Sequence, residues 1–540
     1  MPNNLNKDKF KNHIYYLIQS KKRGKMKITL ISTSTFPNDQ GLRTLSACLE
    51  REGHEVLMIF LPLVEDYTRK YTEKELKQVE EKTKGSQLIG IGSMESTTGR
   101  AKQLIDLFQK KGIPVVWGGP HATFFPEKCF KIGDIIAVGE AEEAIVEIAN
   151  KIERGEPINN ILNFWIRING KEYKNPVRSP PNNLDVLAPP DFDIEDQWIL
   201  ERGKLIPFEE RHLAGMLFFQ TERGCPQACS YCTNNILRAL YAGKADLLRT
   251  HSVDYVINFF KTIKKKFPSI KVIDIRDETI TVRKLEWLRE FSEKYKKEIG
   301  LRMKCLAEPA TMAFGEVSDE KIRLLVEAGL TDIIIGIQSG SDRLNKEVYN
   351  RFIKAEHVLK CAQILNKYKD KLTVMYDVIA NNPYETNEDI LETIKLLRKI
   401  PKPYFLSVNN LIFFEGTPLY KKALDDGYIK TYNDTAGNLN YWDRWKHIKL
   451  KKKNPYLNLV LNMMRGSCTN RRYGLLPAWF VDYLTSPRVV KYNVDNEKPT
   501  YAAGELVEVM DDTREKIIKP IYRAMPISVK VFYDRVRYRM

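Results

Sequence analysis

The chain has 540 residues, a formal net charge of +17 and 43% apolar residues. That length exceeds a typical single core and predicts two or three domains, while the even spread of apolar residues excludes a disordered chain. No apolar run approaches the roughly 20 residues that span a bilayer, and the polar, Lys- and Asn-rich start carries no apolar stretch of a signal peptide, so the expected localisation is cytoplasmic.

Residues 1–25 read as a basic flexible arm. Residues 26–155 then alternate short apolar runs with amphipathic stretches. Strands are predicted at Lys27–Ser32, Val56–Leu61, Leu88–Gly92, Val115–Trp117 and Asp134–Val138, with helices at Gly41–Glu52, Arg100–Lys111 and Glu140–Glu153. Such alternation predicts a parallel sheet with helices on both faces, and five strands in this length fit a flavodoxin-like α/β domain. Residues 156–205 break the rhythm, with a predicted hairpin around Asn169–Gly170 followed by a Pro-rich linker (Pro176, Pro180, Pro181, Pro189, Pro190). A second α/β series fills 206–425. Its strands are predicted at Leu217–Thr221, Val272–Ile275, Arg302–Leu306, Ile333–Ile337, Thr373–Ile379 and Phe405–Leu411, a partial (β/α)6 barrel whose reactive site belongs at the C-terminal strand ends. Residues 426–540 lose the pattern and are expected to be mainly helical.

Eight cysteines in this length do not make a disulfide scaffold. Three of them, Cys225, Cys229 and Cys232, follow the first barrel strand with Cys-x3-Cys-x2-Cys spacing. Three thiolates can ligate three irons of a 4Fe–4S cubane and leave the fourth iron open to a small molecule. A structural zinc site normally has four ligands, and no fourth Cys or His lies nearby: His212 is upstream and His251 well downstream. The other five cysteines, Cys48, Cys129, Cys305, Cys361 and Cys468, are scattered and are expected to be buried structural thiols. Cys305 and Glu308, at the end of the third barrel strand, are the ones expected to face the cavity.

The cysteine segment, with Tyr231 before its last Cys, resembles the signature of the radical S-adenosylmethionine superfamily. Further matches follow in order: Asp274–Thr279 (DIRDET) after the second strand, Gly336–Ser341 (GIQSGS) after the fourth, Asp377–Thr386 (DVIANNPYET) after the fifth and Phe414–Tyr420 (FEGTPLY) after the sixth. The resemblance implies that Cys225, Cys229 and Cys232 hold the cluster, and that the cluster reductively cleaves S-adenosylmethionine to a 5′-deoxyadenosyl radical. Tyr231, Asp277, Glu278, Gln338, Ser339 and Ile379 are the implied contacts to S-adenosylmethionine. Many relatives have Glu where this chain has Gln338, which can still hydrogen-bond a ribose hydroxyl but brings no charge.

Residues 26–155 resemble the cobalamin-binding domain that precedes this barrel in one large subclass. The resemblance rests on Gly41-Leu42, Gly53–Val56 (GHEV), Ile91–Ser93, Trp117–His121 (WGGPH) and Val138–Glu140 (VGE), and implies cofactor contacts at Ser93, Gly118, Gly119 and Gly139. The Asp-x-His-x-x-Gly loop that ligates cobalt in methionine-synthase-type domains has no counterpart: Ser32–Gly41 (STSTFPNDQG) contains no His. Cobalt is therefore expected to be held without an imidazole from His54 or His121.

Together the two resemblances imply a cobalamin-dependent radical enzyme, similar to the group of methyltransferases that also contains the anaerobic magnesium-protoporphyrin ester cyclase. Methyl transfer to an unactivated carbon of a small-molecule or lipid substrate is the leading expectation. A non-methylating cyclase, oxidase or carbon–carbon coupling enzyme is the alternative, and a non-catalytic cobalamin-binding regulator a third. The implied partner is an electron donor such as ferredoxin or flavodoxin; nucleic acid is not favoured. Lys449–Lys453 (KLKKK) before Tyr456–Met464 (YLNLVLNMM) also suggests peripheral contact with an anionic membrane surface, against which stands a helix packed on the barrel with its lysines in water.

Overall fold

The computed structural model describes residues 25–63, 69–313, 316–431 and 454–496. They fall into two compact units: one holds the chain up to Leu213 together with Ile236–Thr250, and the other holds Ala214–Asn235 and the barrel residues from His251 onward.

The first unit is built on a nine-stranded sheet: β1 (Lys27–Ser32), β2 (Glu55–Phe60), β3 (Leu88–Gly92), β4 (Val115–Gly118), β5 (Ile135–Ala137), β6 (Phe164–Ile168), β7 (Lys171–Lys174), β8 (Gln197–Glu201) and β9 (Lys204–Pro207). Their order is β7-β6-β5-β4-β3-β1-β2-β8-β9. Strands β1–β5 are parallel and run 2-1-3-4-5, the flavodoxin-like order, so the switch point lies between β1 and β3. There Thr33, just past β1, bonds Gly92 at the end of β3 through its N–H (3.1 Å) and its hydroxyl (3.0 Å).

Local chemistry explains the helices. Asp39 accepts from the N–H of Leu42 at 3.1 Å and starts the helix Gln40–Arg51. A capping box of Thr72 and Glu75 starts Glu73–Lys82. The helix Glu142–Arg154 buries Ala144, Ile145, Ile148, Ala149 and Ile152 at helical spacing and ends at Gly155, whose φ of 69° closes it. Trp117 is fully buried at the centre of this core, and truncation there to Ala would cost about 3–5 kcal/mol.

The hairpin around Asn169–Gly170 forms as expected, both residues having positive φ (51° and 79°), and β6 pairs antiparallel with β5. The Pro-rich stretch differs from the expected bare linker. It ends in a second hairpin, β8–β9, and β8 pairs parallel to β2 on the other flank of the sheet. Gln197–Pro207 has too few alternating apolar residues to announce itself, and its pairing with β2 is set by long-range contacts.

The second unit carries β10 (Met216–Phe219), β11 (Glu222–Gly224), then, past the short strand β12 (Leu248–Thr250), β13 (Val272–Ile275), β14 (Arg302–Ala307), β15 (Leu330–Gln338), β16 (Thr373–Ala380) and β17 (Tyr404–Asn410). Six strands, β10-β13-β14-β15-β16-β17, are parallel neighbours, the partial six-stranded barrel. On β14, β15 and β16 one side-chain row is fully buried against helices and the other is half-buried on the inner face. Beyond them β18 (Gly466–Cys468), β19 (Arg472–Tyr473) and β20 (Leu476–Pro477) extend the sheet antiparallel, a strand contribution that a mainly helical C-terminal region did not foresee.

Of the basic-apolar segment, Lys449–Lys453 lie outside the described residues. The apolar part forms the helix Pro455–Met463, with Tyr456, Leu457, Val460 and Leu461 buried and Leu459 and Met463 half-buried, so most of its apolar surface is covered by protein. Among the described residues no helix is long and apolar enough to cross a membrane.

Candidate functional site

In the second unit the chain leaves β10 into the cysteine loop, and a buried charge network fixes the exit. The Asp277 carboxylate accepts from Thr221 N (2.6 Å) and Glu222 N (3.2 Å), and from the Thr221 hydroxyl. The Arg283 guanidinium lies 3.3 Å from Asp277 and 3.1 Å from Glu222. Burial, followed by the Asp277 charge, pushes the Glu222 carboxyl above the usual carboxylate range, and the Arg283 charge opposes the shift. Asp277, expected to contact S-adenosylmethionine, is thus occupied with anchoring the loop.

The loop itself is braced from both sides. Ser230 N donates to Tyr349 O at 2.8 Å, Asn350 Nδ2 to Ala228 O at 2.9 Å, and Leu419 N to Ser230 O at 2.9 Å. None of the eight cysteines is in a disulfide; Cys225, Cys229 and Cys232 are partly accessible, whereas the other five are buried. Asn234 N donates to the Cys232 sulfur at 3.5 Å. Burial pushes the Cys225 thiol up to about 12 and that of Cys232 up to about 11, and in both the neighbouring thiols and Glu278 add to the effect. Among the described residues no three His, Cys, Asp or Glu side chains converge closely enough to hold a single ion. A cubane spreads its thiolates over separate iron corners, and this donor set of three soft sulfurs with an N–H aimed at one of them fits such a cluster.

Around the loop stand most of the other expected residues. Glu278 is accessible yet ringed by enough protein that burial raises its carboxyl, and Asn234 hydrogen-bonds it. Gln338 ends β15 with a φ of 67°, at a register shift against β16, a strained conformation of the kind that gathers at functional sites. Tyr231 packs edge-on to Tyr349, ring centroids 5.1 Å apart, and it shares an apolar cluster with Ile379. Ser339 is apart from these: it is fully buried, with its hydroxyl accepting from Ser341 N (3.1 Å) and lying 3.3 Å from that of Thr393.

Two features were missed. Arg351 is 4% exposed and donates to Gly336 O (2.9 Å) and Ile337 O (3.0 Å), so it holds the end of β15. It also hydrogen-bonds Cys229 and sits 3.7 Å from Glu308, whose other oxygen accepts from Gln227 at 3.0 Å. No local pattern marks this arginine. Asp377 lies on the inner face in register with Gly336 and Ser407; burial pushes it up to about 6 against a hydrogen bond from Ser407, and its Oδ1 has no partner. Glu308 does face the loop, but Cys305 does not face the cavity. It alternates with the half-buried Lys304 and Leu306 and is 1% exposed on the helix side, because strand side chains alternate and the count from Glu308 crosses the strand end.

In the first unit the expected residues meet at the C-terminal strand ends. Ser93, just past β3, is 3% exposed, and its hydroxyl accepts from the Trp117 indole at 2.8 Å, which leaves its own proton to donate. Gly119 has a φ of 92°, and a Cβ there would come within 2.9 Å of Ser93 O. Its glycine is therefore required by the Ser93 backbone rather than by room for a ligand. Gly118 packs against Ala137.

Gly139, with a φ of 81°, is covered by Tyr241: a Cβ would fall on the phenol oxygen, which accepts from Glu140 N at 2.6 Å. Arg249 pairs with Glu140 beside it. Both Tyr241 and Arg249 come from a segment some hundred positions downstream, beyond the reach of a motif.

His54 precedes β2 at the opposite end of the sheet, held by Met26 N (3.4 Å) and Asn150 (3.2 Å), which removes it as a ligand at the C-terminal edge. His121 lies at that edge between Trp117 and Phe125, its Nδ1 without a partner, and burial lowers it to about 4, so it is neutral at ordinary pH. In the loop from Ser32 to Gly41 the Ser32 hydroxyl donates to Asp39 at 2.7 Å. A hydroxyl with a spare proton and a neutral imidazole with a bare nitrogen suit a ligand that presents neutral amides, as the corrin side chains of cobalamin do.

Comparison with known proteins agrees. Residues 220–397 match the Radical SAM superfamily, and residues 26–149 match the B12 binding domain. An uncharacterized methyltransferase, PH0819, of Pyrococcus horikoshii is 27% identical over 395 residues, 72% of this chain and 79% of that protein. The bacteriochlorophyllide d C-8(2)-methyltransferase of Chlorobaculum tepidum is 24% identical over 63% of this chain and 69% of its own. Among solved structures the radical S-adenosylmethionine methyltransferase TsrM of Kitasatospora setae, with tryptophan and a S-adenosylmethionine analogue bound, shares the fold with a TM-score of 0.59 at 16% identity, covering 74% of this chain and 76% of that one. The chain is a radical S-adenosylmethionine enzyme with an N-terminal B12-binding domain, and its cofactors are a 4Fe–4S cluster, S-adenosylmethionine and cobalamin.

Proposed function

We propose that the protein methylates an unactivated carbon of a small-molecule substrate. The observation that carries this reading is the trio of accessible thiols in a loop braced by buried charge, on a chain that also bears a B12-binding domain and whose relatives are described as methyltransferases. When bound, the cofactors supply an electron, a hydrogen-abstracting radical and a methyl group.

The chain's own part is placement. Cys225, Cys229 and Cys232 ligate three irons and leave one corner for the amino acid end of S-adenosylmethionine. Glu278, accessible beside the thiols, takes the ammonium, and the buried Arg351 takes the carboxylate, with Glu308 as its counter-charge. Gln338 presents its amide to the ribose from its strained position, while Tyr231 and Ile379 offer apolar and aromatic surface to the adenine. Asp277 acts one step back by holding the loop to β10. In the other unit Ser93 and the Gly118–His121 turn receive the cobalamin. Asp377, protonatable near pH 6 and with one oxygen unpartnered, is available to a polar group on the inner face.

The test is anaerobic reconstitution with methyl-labelled S-adenosylmethionine, followed by mass spectrometry of candidate small molecules. Transfer of the label to carbon supports the reading. Formation of 5′-deoxyadenosine with no label transferred to any product contradicts methylation.

A further inference from the structure

The first sheet carries an apolar side chain on each lip of its switch point. Past β1, the loop from Ser32 to Gly41 leaves Phe36 51% exposed; past β3, next to Ser93, Met94 is 47% exposed. Three other large apolar side chains of this unit are exposed to a similar degree, Leu162, Val186 and Leu247, and none of these three lies in the turns that follow β1 and β3. Neither lip is loose. Thr33 bonds Gly92 O through its N–H and its hydroxyl, and that hydroxyl lies 2.8 Å from the hydroxyl of Thr97, which bonds both Met94 N (3.2 Å) and Met94 O (3.1 Å). The far end of the β1 loop is tied by the buried Arg43, which donates to Pro37 O at 3.0 Å. The two turns are thus fixed, and one chain of hydrogen bonds joins them.

Single exposed apolar side chains are ordinary on a protein surface, but two on adjoining turns at the crevice where a doubly wound sheet takes its ligand call for a cause. Apolar surface held in water is unfavourable, and covering it relieves the cost. In the same loop the Ser32 hydroxyl and both Asp39 oxygens are taken up by hydrogen bonds, and Asn38 is 9% exposed. Phe36 is the one large side chain that the loop presents outward. Cobalamin brings to this crevice a broad, flat and largely apolar ring face, whose edge carries the amides that suit Ser93 and His121.

We infer that Phe36 and Met94 form an apolar seat for the lower face of the corrin ring, which keeps water as well as imidazole off the cobalt. The apolar seat also bears on the metal's potential: an axial water stabilises Co(II) against Co(I), so excluding it makes the reduction easier. The inference rests on the B12-binding domain and not on methyl transfer, so either can fail while the other stands.

The full-length protein is loaded anaerobically with hydroxocobalamin, freed of excess by gel filtration, quantified by absorbance and reduced to the Co(II) form. Paramagnetic resonance and magnetic circular dichroism are recorded in ordinary water and in water enriched in the magnetic oxygen isotope. The parent is expected to show cobalt without an axial donor, with line widths unchanged in the enriched water. Phe36→Ala should admit water, giving a five-coordinate spectrum whose lines broaden in the enriched water and a Co(II)/Co(I) midpoint potential more negative than the parent's. Met94→Ser should act in the same direction, and Phe36→Leu, which keeps the apolar bulk, should stay like the parent. A variant that takes up no cobalamin while the Tm of its apoprotein is unchanged also places that side chain in the seat. The inference is overturned if the parent already carries an axial donor, whether water, a carboxylate, the Met94 sulfur or a nitrogen, or if Phe36→Ala and Met94→Ser both bind cobalamin and keep the parent's spectrum. Transfer of labelled methyl, read separately, reports on the proposed reaction.

Discussion

The cysteine loop and the B12-binding edge are both strand-end sites, yet they are held by different chemistry. The loop is fixed by buried charge: Asp277 and Glu222 around Arg283, and Glu308 beside Arg351. The other edge is fixed by neutral contacts, the Ser93 hydroxyl on Trp117, the backbone of Gly119 against Ser93, the uncharged His121 and the Tyr241 phenol on Glu140 N, with the Arg249–Glu140 pair at its margin. The difference follows the ligands. A thiolate-bound cluster and a zwitterionic sulfonium need fixed counter-charges, whereas cobalamin presents mostly amides and an apolar ring face.

The largest effect expected from this contrast is at the charged site. Asp277→Asn takes from the buried Arg283 one of its two carboxylate neighbours and weakens the acceptor of the Thr221 and Glu222 N–H groups, and should destabilise the second unit by about 3 kcal/mol. Hydrogen exchange of the barrel strands measures it; an effect below 1 kcal/mol would remove the charge network from the account.

The neutral site should respond to acid instead. His121 titrates near 6.5 when unfolded and near 4 when folded. Its folded value is depressed, so the unfolded chain binds more protons between those values, and the stability it contributes is present above pH 6.5 and lost as pH falls towards 4. The loss should reach up to about 3 kcal/mol for the first unit, and His121→Phe should flatten it. An unchanged pH profile in that variant would show that the ring is not held neutral.

Smaller again is the Gly139–Tyr241 contact. Gly139→Ala must shift the phenol and hold an L residue at a φ of 81°, for about 1–3 kcal/mol. Tyr241→Phe removes only the acceptor for Glu140 N, about 0.5–1.5 kcal/mol. Non-additivity in the double variant measures the contact itself. Lastly, the Co(II) form of bound cobalamin should show no nitrogen splitting from the lower face; a triplet lost in a His121 variant would overturn the reading of the Ser32–Gly41 loop.

What the sequence disclosed divides along the same line. The cysteine loop is contiguous, and six barrel strands and five strands of the first sheet were legible from alternating apolar runs, because each is a local pattern. Arg351 and Tyr241 were not legible, since each acts on residues about a hundred positions away through contacts that only the fold creates. Asp277 was found but given a cofactor role, although its oxygens are engaged by Thr221, Glu222 and Arg283. The β8–β9 hairpin was hidden because its pairing with β2 is set across the sheet. Cys305 was misplaced by one step of strand alternation.

The account turns on whether the three thiols hold a cluster that cleaves S-adenosylmethionine. The direct measurement is 5′-deoxyadenosine formed under dithionite by the reconstituted protein, alongside Cys225→Ala/Cys229→Ala/Cys232→Ala. The parent should bind about four irons and four sulfides and form the nucleoside, and the triple variant should bind none and form none above background. A triple variant that still forms 5′-deoxyadenosine would contradict the assignment.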